Sequence, residues 1–196
     1  MAPRAERRRR GVVGSGHYSE RVRVGTASTR LVIIRGNSAS GKSSIAEEIR
    51  RRHGRGVALV QQDVLRRQVL RERDVPGGAA IGLIDLVARY SLDHGFHVIV
   101  EGILTTERYA TMLDALRRDH RGVSRLYYLD VPFAETLARH VGKPQADEYG
   151  ERELRAWYRE RDLLPGGIER VVPSASSLHD TVTLVMAEAG LPTAAE

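Results

Sequence analysis

An α/β fold built on one parallel sheet, with helices on both faces, is what this chain of 196 residues predicts. Short apolar runs alternate with amphipathic helical stretches from residue 31 onward. The runs are continuously hydrophobic rather than alternating, as strands buried on both faces are. A glycine loop of the form G-x-x-x-x-G-K-[ST] joins the first run to the first helix, the context in which such a loop binds phosphate. The length suits one domain with a core of its own.

Leu31, Val32, Ile33 and Ile34 form the first predicted strand, and the helix after the loop has Ile45 and Ile49 four apart on one face. Residues 57–60 read as a second strand and 64–73 as a helix. A longer helix is predicted over 79–94, with Ile81, Ile84, Leu86, Val87 and Tyr90 as its apolar stripe and Gly95 as its stop. Residues 97–100 are the third strand, and Thr105 suits the N-cap of a helix ending near Asp119. Residues 125–129 are the fourth strand, Pro132 suits the first turn of the next helix, and 151–161 reads as another helical piece. A fifth strand over 168–172 and a closing helix over 178–189 complete the pattern, with no repeat and no second domain.

The formal charge of +6 lies in the first 30 residues, and the remainder balances 23 basic against 23 acidic side chains. Residues 1–28, with Arg7, Arg8, Arg9 and Arg10, are therefore read as a disordered basic leader, and 29–196 as the domain. Nucleic acid is not expected as a partner of the folded part. Arginine outnumbers lysine 29 to 2, so arginine content carries no functional weight, while Lys42 stands where a compact ammonium meets phosphate. The absence of cysteine excludes disulfides, thiolate metal sites and a cysteine nucleophile. No apolar run approaches the ~20 residues that span a bilayer, and a cytoplasmic protein is expected.

Gly36, Asn37, Ser38, Ala39, Ser40, Gly41, Lys42, Ser43 and Ser44 are the candidate nucleotide-binding residues. The loop wraps backbone N–H groups around phosphate oxygens at a helix N-terminus, Lys42 reaches the β and γ phosphates, and the Ser43 hydroxyl ligates Mg²⁺. Mg·ATP is the expected ligand. The second strand runs into Asp63, on the rim where ligands of parallel sheets sit. A carboxylate there can take the proton of an acceptor hydroxyl, and the same position suits a helix N-cap. Arg66, one turn on, could hold the substrate. Glu101, at the end of the third strand, is placed to meet a substrate hydroxyl or the Mg²⁺ water shell, or to bond loop N–H groups. An arginine-bearing lid is expected over 139–161, with Arg139 as the catalytic phosphate partner and Trp157 packed rather than stacked on a base. The histidines show no metal-binding spacing.

Gly36 to Ser43, Asp63 with Arg66, the Val100-Glu101-Gly102 strand end, the run Tyr128-Leu129-Asp130-Val131-Pro132 and the arginine segment together resemble the small P-loop kinases around zeta toxins and chloramphenicol phosphotransferase, in the wider AAA_33-type set. The resemblance spans roughly residues 29–190. It implies a three-layer α/β/α P-loop kinase fold, a five-stranded parallel sheet in the order 2-3-1-4-5, ATP as donor and Asp63 as base. The chain departs from members that end the third strand in Asp, since Glu101 stands there. The acceptor does not carry over, because these kinases act on nucleotide sugars, antibiotics, nucleosides and RNA ends.

The chain lacks the N-K-x-D motif of GTPases and the L-S-G-G-Q-like signature of ABC-type ATPases. A nucleoside monophosphate kinase stays open if Arg66 and its neighbours hold an acceptor phosphate. The expectation is an ATP-dependent phosphotransferase acting on a hydroxyl of a small metabolite, nucleoside or antibiotic. The alternative is a nucleotide-dependent switch or RNA-associated ATP-binding protein whose leader makes the contact.

Overall fold

The computed structural model describes residues 23–142 and 149–194. Its sheet has five parallel strands, β1 (Arg30–Gly36), β2 (Val57–Gln61), β3 (His97–Gly102), β4 (Val123–Asp130) and β5 (Glu169–Pro173), in the order β2-β3-β1-β4-β5. Among the described residues six α-helices flank it: α1 (Lys42–His53), α2 (Ala79–Asp93), α3 (Thr106–Asp119), α4 (Phe133–Val141), α5 (Glu151–Trp157) and α6 (Leu178–Ala189). The α/β class and the strand order are those expected.

Side chains of β1 alternate between the two faces, as a period of two requires. Leu31 and Ile33 join Ile84, Ala88, Leu92, Leu113 and Leu116 on the side of α2 and α3. Val32 and Ile34 join Ile45, Ile49, Val182 and Val185 on the side of α1 and α6. All four β1 residues are 0% exposed, and each such side chain contributes about 1.5–3 kcal/mol over leaving it in water. The register pairs Ile34 with Glu101, Gln61 with Glu101 and Gly36 with Leu129, so the carboxyl ends of β2, β3 and β1 open onto one rim.

Four expectations are corrected. On α2 the inward stripe is Ala80, Ile84, Ala88 and Leu92, while Leu86 and Tyr90 are 62% and 63% exposed. Spacing by four, not side-chain size, decides which face is buried there. The predicted helix over 64–73 is a π-helical turn, Val64–Val69, closed by Leu70 N donating to Leu65 O at 3.0 Å. The predicted helix over 151–161 stops at Trp157, and Tyr158 has extended dihedrals. The leader boundary lies too far along the chain, because Val24 is 1% exposed, bridges to His120 and exchanges backbone hydrogen bonds with Asp119 and Arg121. Residues 1–22 of the leader, and 143–148 of the expected lid, lie outside the described residues.

Pro76, Gly77 and Gly78 turn the chain into α2, whose first N–H groups are met from a distance: Ala79 N and Ala80 N donate to the Glu72 carboxylate, each at 2.8 Å. Among the described residues no helix is long and apolar enough to cross a membrane.

Candidate active site

The loop between β1 and α1 follows from its glycines. A Cβ on Gly36, whose φ is 148°, would stand 2.8 Å from the Leu129 carbonyl oxygen and 3.0 Å from Ser40 Oγ. Gly41 meets little, but its φ of 104° is one that side chains resist, so glycine is needed there for the backbone itself. α1 then begins at Lys42 with no side-chain cap, which leaves its first N–H groups facing the cavity at the positive end of the helix dipole. Lys42 is 7% exposed, and its Nζ donates to the Asn37 carbonyl at 2.8 Å and to Ser40 Oγ at 3.5 Å.

Beside the lysine lies a buried acid. Glu101 is 4% exposed, and its Oε1 accepts from Ser43 Oγ at 2.9 Å and from Gln61 Nε2 at 3.1 Å. A side chain at Gly102 would collide with Gln62, whose Nε2 donates to the Tyr109 hydroxyl at 2.8 Å and whose Oε1 accepts from Leu104 N at 3.2 Å. Burial, and then the hydrogen bond to Asp74, push the Tyr109 hydroxyl well above the usual phenol range, so it remains a proton donor.

These groups face a cavity of about 380 Å³ that brings together Ser38, Ala39, Gly41, Lys42, Ser43, Ser44, Asp63 and Glu101. Arg67, Gln68, Gly102, Ile103 and Tyr149 complete its lining. Asp63 is on the open side, its carboxylate 64% exposed and paired with Arg66 at 2.9 Å. It precedes the π-helical turn, but its side chain makes no capping bond.

Two expected residues are placed elsewhere. Arg66 is held by Asp63 and by the Glu72 carbonyl, 3.2 Å away, and does not line the cavity. Arg67 lines it instead. Offsets of three and four both return to one helical face, and the ion pair claims the first. Arg139 lies behind the loop: it donates to the Ser40 carbonyl at 3.1 Å and to the Ser174 carbonyl at 3.4 Å, and pairs with Glu135. It lines a second hollow of about 30 Å³ with Ile45, Val131, Pro173 and Ser176, not the large cavity. Hydrogen bonds from Ser174 and then Arg139 hold the Glu135 carboxyl below the usual carboxylate range. Trp157 is 43% exposed and meets Tyr149 edge to face, with the ring centroids 4.9 Å apart.

The sequence reading missed a buried polar network on both sides of Gly36. Arg35 is 0% exposed and donates to the Leu104 carbonyl (2.8 Å), Thr106 Oγ1 (3.0 Å), Asp162 Oδ2 (3.0 Å) and both oxygens of Glu169 (2.8 and 3.0 Å). Asn37 pairs through its carboxamide with the backbone of Arg159. The available signal was an arginine inside an apolar strand, a residue that is buried only when paired.

Residues 31–164 match the family AAA_33, described as an AAA domain. No curated protein matches the chain in sequence. Among solved structures, the tunicamycin resistance protein of Deinococcus radiodurans is 17% identical at a TM-score of 0.61, over 86% of this chain and 99% of that one. The APS kinase of Mycobacterium tuberculosis in complex with AMPPNP and APS is 17% identical at 0.61, over 84% and 97%. A gluconokinase from Sinorhizobium meliloti is 16% identical at 0.56, over 84% and 93%. At these identities the likeness is one of fold, that of the P-loop kinases.

Proposed function

The chain belongs to the AAA_33 family, and on that premise we propose that it is an ATP-dependent phosphotransferase, moving the γ-phosphate of Mg·ATP to a hydroxyl of a small molecule. One observation carries the reading: a buried lysine, a helix N-terminus and a rim carboxylate, Asp63, converge on a single cavity. The APS kinase of similar fold binds AMPPNP and APS, which supports a nucleotide on one side of such a cavity and a small acceptor on the other.

The loop N–H groups and Lys42 would hold the phosphates and take up the charge that develops on the transferring group. Ser43 and Glu101 present only oxygen donors, which suits Mg²⁺, bound directly or through its waters. When bound, the ion neutralises charge on the β and γ phosphates. Asp63 is assigned as the group that accepts the acceptor's proton and aligns its oxygen for in-line attack, and its exposed side gives access to a substrate arriving from solvent. Arg67 and Gln68 belong to the wall that such an acceptor would meet. Arg139 is assigned to bracing the loop from behind rather than to the transferring group.

The test is a transfer screen with γ-labelled ATP and Mg²⁺ against nucleosides, aminoglycosides, phenicols, sugars, nucleotide sugars and RNA ends. Label on a small acceptor, lost in Asp63→Ala, is the expected result. Tight ATP binding with no labelled acceptor, combined with loss of a bound partner on deleting residues 1–22, would favour a switch instead.

A further inference from the structure

Asn37 is a loop residue whose two ends engage different parts of the molecule. Its backbone carbonyl accepts from Lys42 Nζ at 2.8 Å. Its carboxamide treats Arg159 as a neighbouring strand would: Nδ2 donates to the Arg159 carbonyl at 2.8 Å, and Oδ1 accepts the Arg159 N–H at 2.9 Å. Asn37 is 5% exposed, so these bonds are made away from water, where leaving either amide group unpaired is costly.

Arg159 lies two residues past the end of α5, and the same stretch is tied to the loop's base. The Tyr128 hydroxyl donates to the Arg159 carbonyl at 3.3 Å and accepts from Asp162 N at 3.2 Å. The Asp162 carboxylate receives Arg35. Two residues before Arg159, Trp157 packs on Tyr149, which lines the large cavity. The contacts thus run from the phosphate site through Lys42 and Asn37 to Arg159, and two residues of backbone link Arg159 to Trp157, which packs on Tyr149 at the cavity wall.

We propose that Asn37 is a positioning residue that couples nucleotide at the phosphate loop to the placement of Trp157 and Tyr149 on the cavity wall. The proposal rests on the reading that the loop binds a nucleoside triphosphate. When phosphate oxygens take up the Lys42 ammonium, the Asn37 carbonyl gives up that donor, the peptide after Asn37 reorients, and the carboxamide carries the change to the Arg159 backbone. The two loop states thereby differ in their contacts to the segment, which is what coupling requires.

The chain's single tryptophan reports on this segment. The full-length protein is titrated with Mg²⁺ and a non-hydrolysable ATP analogue, following heat of binding and Trp157 emission in parallel. The wild type should show an emission change that saturates with the calorimetric curve. Asn37→Ala, and the isosteric Asn37→Asp, which loses the donor to the Arg159 carbonyl, should lose most of the emission change when each is compared at the nucleotide concentration that calorimetry shows to saturate it. The same emission change in the wild type and in a folded variant, whatever the melting temperature, would leave Asn37 a structural role only and overturn the proposal. Heat of binding in the wild type without an emission change would overturn it as well. No heat at all would instead refute the nucleotide reading beneath it.

Discussion

Replacing Glu169 with alanine tests whether the ground under the phosphate loop is as rigid as its hydrogen bonds imply. The Arg35 and Glu169 side chains are 0% and 2% exposed, and Arg35 Nη1 donates to both carboxylate oxygens, at 2.8 and 3.0 Å. Glu169 Oε2 also accepts the Leu164 N–H at 2.6 Å. The substitution strands a buried guanidinium edge and a backbone donor together. Removing one partner of a buried pair costs about 3–5 kcal/mol. Asp162, still 3.0 Å from Arg35, keeps the loss near the lower end, at about 3 kcal/mol. For a domain of this size that is a fall of about 6–12 °C in melting temperature. Thermal unfolding followed by circular dichroism measures it, with Glu48→Ala as the comparison. Glu48 pairs with the largely exposed Arg51 and with Arg52 on the surface of α1, where removing a partner should shift the midpoint far less. A Glu169→Ala midpoint no lower than that of Glu48→Ala would refute the idea that Arg35 anchors the loop.

Lys42→Ala should cut phosphoryl transfer by at least about 100-fold and weaken ATP binding, read by single-turnover kinetics and calorimetry. Ile84→Ala should cost about 2–5 kcal/mol in urea unfolding, and Leu86→Ser less than about 0.5, because only the first faces the core. Burial and then the Arg30 charge lower the His120 imidazole to about 4, with Thr29 Oγ1 and Ser124 Oγ as its hydrogen-bond partners. The unfolded chain therefore takes up this proton first as pH falls. Stability should drop from about pH 6.5 downward, by up to about 3 kcal/mol, and level off below about pH 4. His120→Gln should flatten that part of the profile, and an unchanged slope would contradict the assignment.

The strands and the phosphate loop were legible because their signals are local: apolar runs of four or five residues, and glycines where the backbone takes positive φ. The strand order was not readable from periodicity and entered through the family resemblance. Leu86 and Tyr90 mislead because hydrophobic size and facing direction are separate properties, and the buried face of α2 carries Ala80 and Ala88 beside Ile84 and Leu92. Lys42, Ser43, Asp63 and Glu101, each in the loop or at a strand end, line one cavity, an arrangement that their places in the sequence anticipate. The roles of Arg35 and Asn37 depend on partners up to 134 residues away in the chain, which spacing cannot reveal. Arg139 is expected at the phosphates as part of an arginine-bearing lid, and in the structure its guanidinium is held by the Ser40 and Ser174 carbonyls, 99 and 35 residues away, which spacing does not reveal.

The most direct test of the account is the transfer rate from γ-labelled Mg·ATP to the best acceptor found in the screen, compared between the wild type and Asp63→Ala. The account predicts a fall of about 100- to 10,000-fold with ATP affinity kept within about threefold. Transfer at the wild-type rate in the variant would contradict the role given to Asp63, and the absence of transfer to any acceptor by a wild type that binds ATP would contradict phosphotransfer itself.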